Sequence, residues 1–267
     1  MANYITMGSM ADKLLSFVST TMVRDSNYDI ALEMIKNYEK LRGMSITEVA
    51  GLCFVSQASI SRFCRFMGFE GYKEFREYLN VDFSIHNDYS KQLSSMLKSD
   101  PAEAVAAYRD ELTQTIYATL DDENIRIMPQ IVQLIHEAKY VSYFAQHFLQ
   151  ETGHFLQSKL MMMGKYIEQS MHYEGQLECA EKLDNNSIAI ICTVGGSYMT
   201  RYVKIWETIV RSRCKLIVIT QNMSSPYLNA ADYVLRCGTS NKDDIGKYSA
   251  LMLIDYMIMC YMRRYDS

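Results

Sequence analysis

Residues 45–80 read SITEVAGLCFVSQASISRFCRFMGFEGYKEFREYLN, and this stretch decides the fold of the N-terminal part of the chain. Two short helical patterns flank a tight break at residues 53–55. Ser45 and Glu48 form a capping box for the first helix, and Ser56 caps the second. This is the layout of a helix-turn-helix whose second helix enters the major groove of DNA.

The small polar start of the second helix, with the arginines that follow, supplies the candidate DNA contacts. Small residues let a helix approach base edges, glutamine pairs with adenine, and arginine reads guanine or grips phosphate. A lysine at the start of a further helix is suited to hold a phosphate. The same spacing also fits a helical hairpin used only for packing, with its arginines on a solvated face. The candidate DNA contacts are Ser56, Gln57, Ala58, Ser59, Ser61, Arg62, Arg65 and Lys73.

The composition is that of a folded chain with room for two domains. The 267 residues are 49% hydrophobic and 22% charged, with only 3 Pro and 12 Gly, which favours helix over long irregular segments. The net charge is −4, and residues 1–80 carry nine basic and nine acidic side chains. A DNA-binding face must therefore be a small focused patch, and we expect its affinity to need two copies.

Cysteine and histidine usage predicts neither a metal nor a cofactor. The seven cysteines are scattered without a C-x-x-C pair, which is typical of reduced, partly buried thiols, and the histidines show no metal-ligand spacing. No secretory signal is visible. The most apolar stretch, 250–262, is too short to span a bilayer and carries Asp255, so it predicts a buried helix. We expect a cytoplasmic protein with no membrane partner.

Helical periodicity extends the N-terminal domain on both sides of the helix-turn-helix. It predicts five helices in a domain over 1–80, followed by a linker and the start of a connecting helix over 81–107. Within that linker, Asp100-Pro101 is expected to open a helix. The five helices are expected near 11–24, 28–42, 46–52, 57–67 and 72–79.

Residues 108–267 alternate helices with short β-rich runs, which predicts a parallel sheet with helices on both faces. The expected fold class is α/β with a separate all-α head. Strands are expected at 140–144, 166–168, 187–192, 216–220 and 233–236, and helices at 149–163, 174–182, 199–213 and 242–264.

The helix-turn-helix string closely resembles the N-terminal domain of the RpiR family of bacterial transcriptional regulators. Those proteins typically show the pattern V-S-x-x-[TS]-[IV]-x-R-F-[CA]-[RK]-x-[LM]-G-[FY]-x-G-[FY]-x-[ED]-[FL]. The resemblance implies binding to a double-stranded DNA operator. The pattern is met by Val55, Ser56, Ser59, Ile60, Arg62, Phe63, Cys64, Arg65, Met67, Gly68, Phe69, Gly71, Tyr72, Glu74 and Phe75.

RpiR regulators usually join this head to a sugar-isomerase (SIS) domain, a five-stranded parallel α/β fold that senses phosphorylated sugars. Residues 108–267 look like that domain in the order of their elements. The resemblance implies a regulator of carbohydrate metabolism genes with a phosphorylated sugar as effector. It also implies a homodimer or homotetramer formed through the SIS domain.

The two phosphate-gripping loops of the SIS pattern are altered in this chain. Residues 145–149, AQHFL, replace the family's G-x-G-x-S turn, so bulky side chains occupy a cradle that needs glycine. The second loop, S-x-S-G-x-T in the family, reads CTVGGS over 192–197. Its glycines fit either an anion site or simply a tight turn. The candidate effector contacts are Thr193, Gly195, Gly196, Ser197, His147 and Lys247.

Two functions follow as hypotheses. The first is a transcriptional regulator that is not an enzyme, whose effector site either still holds a sugar phosphate or has lost or changed that ligand, the second option being favoured. The other is a sugar-phosphate isomerase with a helical extension. That enzyme would require a positioned base beside an intact phosphate cradle. The altered first loop and the DNA-type head argue against it.

Overall fold

The structure is a computed structural model, and it describes residues 10–79, 90–239 and 243–266. The chain divides into two compact units, Met1–Ser84 and Ile85–Ser267. The boundary expected at residue 80 lies outside the described residues, as does Lys242, the expected first residue of the last helix.

The head is all helical, as expected, but its second helix is interrupted. Asn37 leaves the helical conformation (φ −117°, ψ 22°), and its side chain donates to the carbonyl of Glu33 at 3.0 Å. An asparagine that bonds to nearby backbone competes with helix continuation, so the helix expected over 28–42 becomes two. The described part of the head contains α1 (Met10–Thr20), α2 (Ser26–Lys36), α3 (Tyr38–Leu41), α4 (Ile46–Leu52), α5 (Gln57–Phe66) and α6 (Tyr72–Leu79).

The caps of α4 and α5 confirm the start of each helix. The Glu48 N–H donates to Ser45 Oγ at 3.3 Å, and the Ser45 N–H donates to the Glu48 carboxylate at 2.7 Å. The N–H and the hydroxyl of Ser45 both donate to the Glu48 carboxylate, which lowers its pKa because these bonds favour the charged form. Ser56 Oγ accepts the N–H of Ser59 at 3.1 Å. Both helices thus begin where the capping pattern predicts.

One apolar cluster holds the head together. Phe75 lies at its centre, with the ring of Phe69 at 5.4 Å and that of Phe63 at 6.3 Å, both edge to face. The Tyr72 hydroxyl donates to the carbonyl of Met44 at 2.8 Å, which ties α6 to the segment before α4. Side chains buried in this cluster include Leu14, Ile30, Met34, Leu41, Val49, Ile60, Phe63, Phe75 and Leu79.

The second unit begins with helices in part of the interval expected to be a linker. Ser90 caps the first of them, and Asp100 with Pro101 caps the next. The first helix carries Leu93, Met96 and Leu97 at helical spacing, but it buries no residue. The helices are α7 (Lys91–Ser99), α8 (Pro101–Thr119), α9 (Asp122–Glu137), α10 (Phe148–Met162), α11 (Tyr173–Glu181), α12 (Ser197–Arg201), α13 (Val203–Ser212) and α14 (Asp243–Tyr265).

Five parallel strands form the sheet, in the order β2-β1-β3-β4-β5. Successive residues of β3 point to opposite faces, and both faces are buried, as in a sheet covered by helices on each side. The expected helix over 199–213 is broken at Tyr202 into α12 and α13. The strands are β1 (Tyr140–Phe144), β2 (Glu168–Gln169), β3 (Ser187–Cys192), β4 (Lys215–Thr220) and β5 (Tyr233–Arg236).

The last helix buries one face as its sequence predicts, whereas Asp255, Met259 and Met262 are exposed on the other. Leu253, Ile254, Met257 and Tyr261 of α14 are fully enclosed in the core on one face of the sheet. No helix in the described ranges is long and apolar enough to cross a membrane.

A glycine permits the close approach of α10 to the sheet. A Cβ placed on Gly153 would collide with the ring of Tyr143 on β1. The Tyr143 hydroxyl lies 2.7 Å from Thr152 Oγ1, which holds the ring in that position. Any side chain at 153 must therefore push the helix or the ring away.

We predict that Gly153→Ala lowers the free energy of unfolding by about 1–3 kcal/mol, because the extra methyl overpacks a buried contact. Thermal and urea unfolding of the full chain measure the effect. Gly51→Ala in α4 is the control, since a Cβ there meets no atom within 4 Å. Equal stability of Gly153→Ala and the wild type would contradict the packing argument.

Candidate functional site

The second helix of the helix-turn-helix, α5, presents its arginines to solvent. Its buried face consists of Ile60, Phe63 and Cys64. Arg62 and Arg65 are exposed on the other side of the helix. The Arg62 guanidinium donates to Ser59 Oγ at 3.0 Å, and Arg65 Nε donates to the carbonyl of Ser61 at 3.3 Å. Both guanidinium groups stay within reach of an external anion.

The N-terminal turn of α5 is held against α4 by a polar contact. Ser56, Gln57 and Ala58 are exposed. The Gln57 amide donates to Thr47 Oγ1 at 3.0 Å. Thr47 was not among the candidate contacts, although its place in the first turn of α4 could have indicated a role in orienting Gln57. The contact holds the amide in one direction before any ligand binds.

Lys73 lies apart from that turn, at the second residue of α6, and is exposed. The carboxylate of Glu74 accepts the N–H of Glu70 at 2.6 Å, so a negative charge already lies at this end of the helix. Lys73 can therefore meet a phosphate through its own ammonium group, with little help from the helix start.

In the second unit, the strand order defines where a ligand cleft should lie. The chain passes from β1 to β2 on one side and then to β3 on the other, so β1 and β3 form the topological switch point. Ligands of open parallel sheets bind in the crevice at the carboxyl ends of such strands. The two altered loops, 145–147 and 193–197, follow β1 and β3 at this point.

A glutamine side chain bridges the two loops. The Gln146 amide donates to Ser197 Oγ at 2.7 Å, and the residue is only 8% exposed. Its Oε1 is buried and accepts no hydrogen bond from the described residues. Gln146 stands at a variable position of the G-x-G-x-S pattern, between Ala145 and His147, which replace its two glycines, and its amide bridges the two loops. The rule on carboxyl ends of strands could have identified it from the sequence.

A second glutamine, Gln176 of α11, forms hydrogen bonds to the same region. The Gln176 amide donates to the carbonyl of Ala145 at 3.0 Å, and its Oε1 accepts the hydroxyl of Tyr198 at 2.6 Å. Both ends of Gln176 are satisfied, in contrast to Gln146. Gln176 thus joins Ala145, the first residue after β1, to Tyr198 in α12.

The loop after β3 keeps the shape of a tight turn. Gly196 has a φ of +80°, a conformation that favours glycine, and a Cβ there would lie 3.3 Å from the Asn222 amide. Asn222 donates to the carbonyl of Gly195 at 3.2 Å. Thr193 is buried, and its Oγ1 accepts the N–H of Tyr198 at 3.3 Å.

His147 lies beside the same crevice, and Lys247 lies on α14. His147 is exposed with a φ of +53°, and the guanidinium of Arg201 is 3.4 Å from its Nε2. Lys247 has its ammonium 5.4 Å from the ring centre of Tyr248. Its neighbour Gly246 packs so closely on Val194 that a Cβ would collide there. Arg201 was not among the candidates, and only the fold brings it to the loop after β1.

The cysteine thiols take no part in either region. All seven are thiols, and six are buried. Burial raises the pKa of Cys53 to about 11 and the pKa values of Cys64 and Cys192 to about 12, which keeps them neutral near pH 7.

Comparison with known proteins agrees with this geometry. The sequence model described as the helix-turn-helix domain of the rpiR family matches residues 20–86. Residues 20–86 of the head are therefore similar to the DNA-binding domain of RpiR-family transcriptional regulators. The matched range includes α4 and α5, and α5 is the second helix of the helix-turn-helix.

Relatives extend over most of the chain. It is 23% identical over 260 residues to an uncharacterized HTH-type transcriptional regulator of Haemophilus influenzae, covering 93% of this chain and 88% of that protein. It is 25% identical over 234 residues to such a regulator of Providencia stuartii, covering 86% and 80%. Among solved structures, the Vibrio vulnificus NanR protein complexed with ManNAc-6P matches with a TM-score of 0.50 and 19% identity, covering 95% and 92%. That likeness agrees with the expected fold.

We predict that the two buried glutamines differ in their effect on stability. Gln176→Met leaves a buried hydroxyl and a carbonyl without partners and should cost about 2–4 kcal/mol. Gln146→Met removes one hydrogen bond together with an unsatisfied buried oxygen, so its unfolding free energy should change little. Urea unfolding of both variants measures this. A large loss for Gln146→Met would show that its bridge is a main support of the fold.

Proposed function

We propose that the α5 surface reads a double-stranded DNA operator, with one head of a homodimer or homotetramer on each half-site. The contacts are Ser56, Gln57, Ala58, Ser59, Ser61, Arg62, Arg65 and Lys73. The observation that carries the proposal is the exposure of Arg62 and Arg65 opposite a buried apolar face. Buried arginines would have ruled out this interface, whereas exposed guanidinium groups are available to phosphates and base edges.

Charge supports a paired arrangement. The head has no net charge over residues 1–80, so one head offers few phosphate contacts. Two heads on adjacent half-sites double those contacts, and each neutralised phosphate steepens the dependence of affinity on salt. The subunits are proposed to associate through the SIS-like unit. A cytoplasmic location is proposed with it, because the relatives that the chain resembles are bacterial regulators.

We predict that Arg62→Ala and Arg65→Ala each weaken DNA binding at least fivefold. If the replaced arginine binds a phosphate, its loss should also reduce the slope of log K against log salt by about 1. If it reads a base, its loss should relax the sequence preference at that base. The probe is the duplex upstream of the gene for this chain, followed by fluorescence anisotropy at several salt concentrations.

Arg211→Ala is the matched control, because Arg211 is exposed on α13 outside the head. It should bind the duplex as the wild type does. Wild-type affinity in both Arg62→Ala and Arg65→Ala would contradict the proposed interface.

The proposed effector site is the crevice at the switch point of the sheet, built from Thr193, Gly195, Gly196, Ser197 and His147, with Lys247 nearby. We propose that this site has lost the ability to bind a phosphorylated sugar. What supports the change is the Gln146 amide, which occupies the crevice and bonds to Ser197. The proposed role of the unit is regulation without turnover of a sugar phosphate.

We predict that hexose 6-phosphates, pentose 5-phosphates and N-acetylmannosamine 6-phosphate leave the thermal unfolding of the wild type unchanged. The last compound is included because the NanR structure is a complex with ManNAc-6P. Gln146→Gly should open the crevice, so that a sugar phosphate raises the unfolding temperature of this variant. Ligand at 100 times its dissociation constant adds about 2.7 kcal/mol. A shift of that size in the wild type would show a working sugar-phosphate site, and isomerisation of any of these compounds would show an enzyme.

A further inference from the structure

The turn between α4 and α5 is closed by a Schellman motif, in which one residue must adopt a left-handed conformation. The Val55 N–H donates to the carbonyl of Ala50 at 2.9 Å, and the Phe54 N–H donates to that of Gly51 at 3.2 Å. Phe54 is the left-handed residue, with a φ of +54°. Glycine is the usual residue there, because a Cβ is strained in this conformation.

The same chain builds this motif twice more, each time with glycine. At the end of α5 the left-handed residue is Gly68, with a φ of +90°, and at the end of α10 it is Gly164, with a φ of +80°. The paired bonds are Phe69 to Cys64 and Gly68 to Arg65 in the first, and Lys165 to Leu160 and Gly164 to Met161 in the second. An aromatic residue therefore stands where two equivalent turns have glycine.

The ring of Phe54 does not compensate for this strain by packing. The residue is 91% exposed, and its ring contacts no aromatic ring among the described residues. Phe66 on α5 is the contrast, because its exposed ring lies 5.3 Å from that of Phe17. Both the backbone conformation and the exposure of Phe54 are unfavourable for the head by itself.

The position of Phe54 suggests what its ring contacts. It lies two residues before Ser56, the cap of α5. The N-terminal residues of a recognition helix meet base edges, so the preceding turn comes to the rim of the groove. Residues 49–61 contain no charged side chain, so this part of the surface is uncharged. An exposed ring there fits a thymine methyl group or a deoxyribose rather than a phosphate.

We propose that Phe54 packs on duplex DNA beside the start of α5 and adds an apolar, salt-independent part to the affinity. This inference rests on the proposed DNA-binding function. It assigns the ring to the nucleic acid, and not to a second copy of the chain.

The test uses the full chain and a duplex that the wild type selects from a random-sequence library. Phe54→Gly and Phe54→Ala should each weaken binding roughly tenfold, the size of one apolar contact to a base. The slope of log K against log salt should stay that of the wild type, because no phosphate contact is lost. Arg65→Ala should also weaken binding, and if Arg65 binds a phosphate this variant differs from the Phe54 variants in having a smaller slope of log K against log salt.

Stability measurements separate a lost contact from a damaged fold. Phe54→Gly should unfold at or above the wild-type temperature, since it relieves the left-handed strain. Gly164→Phe is the matched control: it places the same side chain in the same motif of the second unit, where a Cβ meets no atom within 4 Å. It should lower the unfolding temperature through strain alone, with DNA affinity unchanged.

Three results would overturn the inference. Wild-type affinity in both Phe54 variants would show that the ring makes no DNA contact. A loss in Phe54→Gly but not in Phe54→Ala would assign the effect to backbone stiffness. A change of oligomeric state of the Phe54 variants in sedimentation would show that the ring contacts a second copy of the chain. In each case a loss in Arg62→Ala would leave the proposed function standing, whereas a wild type that selects no duplex would end both.

Discussion

The packing of α5 through Ile60 and Phe63 is the constraint that fixes the exposed surface of the head. Because these side chains are fully buried beside Phe75, the helix cannot rotate about its axis. Arg62 and Arg65 then have one direction left, toward solvent. The apolar core of the head thus determines the charged surface, and the exposed side of α5 follows from what its other side must bury.

A comparable constraint acts at the switch point of the sheet. The strand order forces the loops after β1 and β3 to the same crevice, so their side chains must either leave room for a ligand or fill the space. Gln146 fills it, while Gln176 fastens the loops with both ends of its amide satisfied. The second unit therefore keeps the geometry of a ligand-binding fold while its crevice is bridged by its own side chain.

Local signals predicted well where one residue decides the conformation. Ser45, Glu48 and Ser56 cap the helices they were expected to cap, and β1, β3 and β5 have the expected bounds. Prediction was wrong at the break in the second helix and at the short helix α7. The break at Asn37 depends on a bond from its side chain to the carbonyl of Glu33, and the apolar side chains of α7 form a stripe only three residues long that is not buried.

The sequence by itself determined the two-unit layout, the helix-turn-helix and the parallel sheet, because caps, apolar periodicity and β-rich runs act over a few neighbouring residues. Only the tertiary structure decided that Gln146 bonds to Ser197, that Arg201 lies beside His147 and that Phe54 is both strained and exposed. These features join residues up to 54 positions apart or require a backbone angle, and no local pattern of residues specifies either.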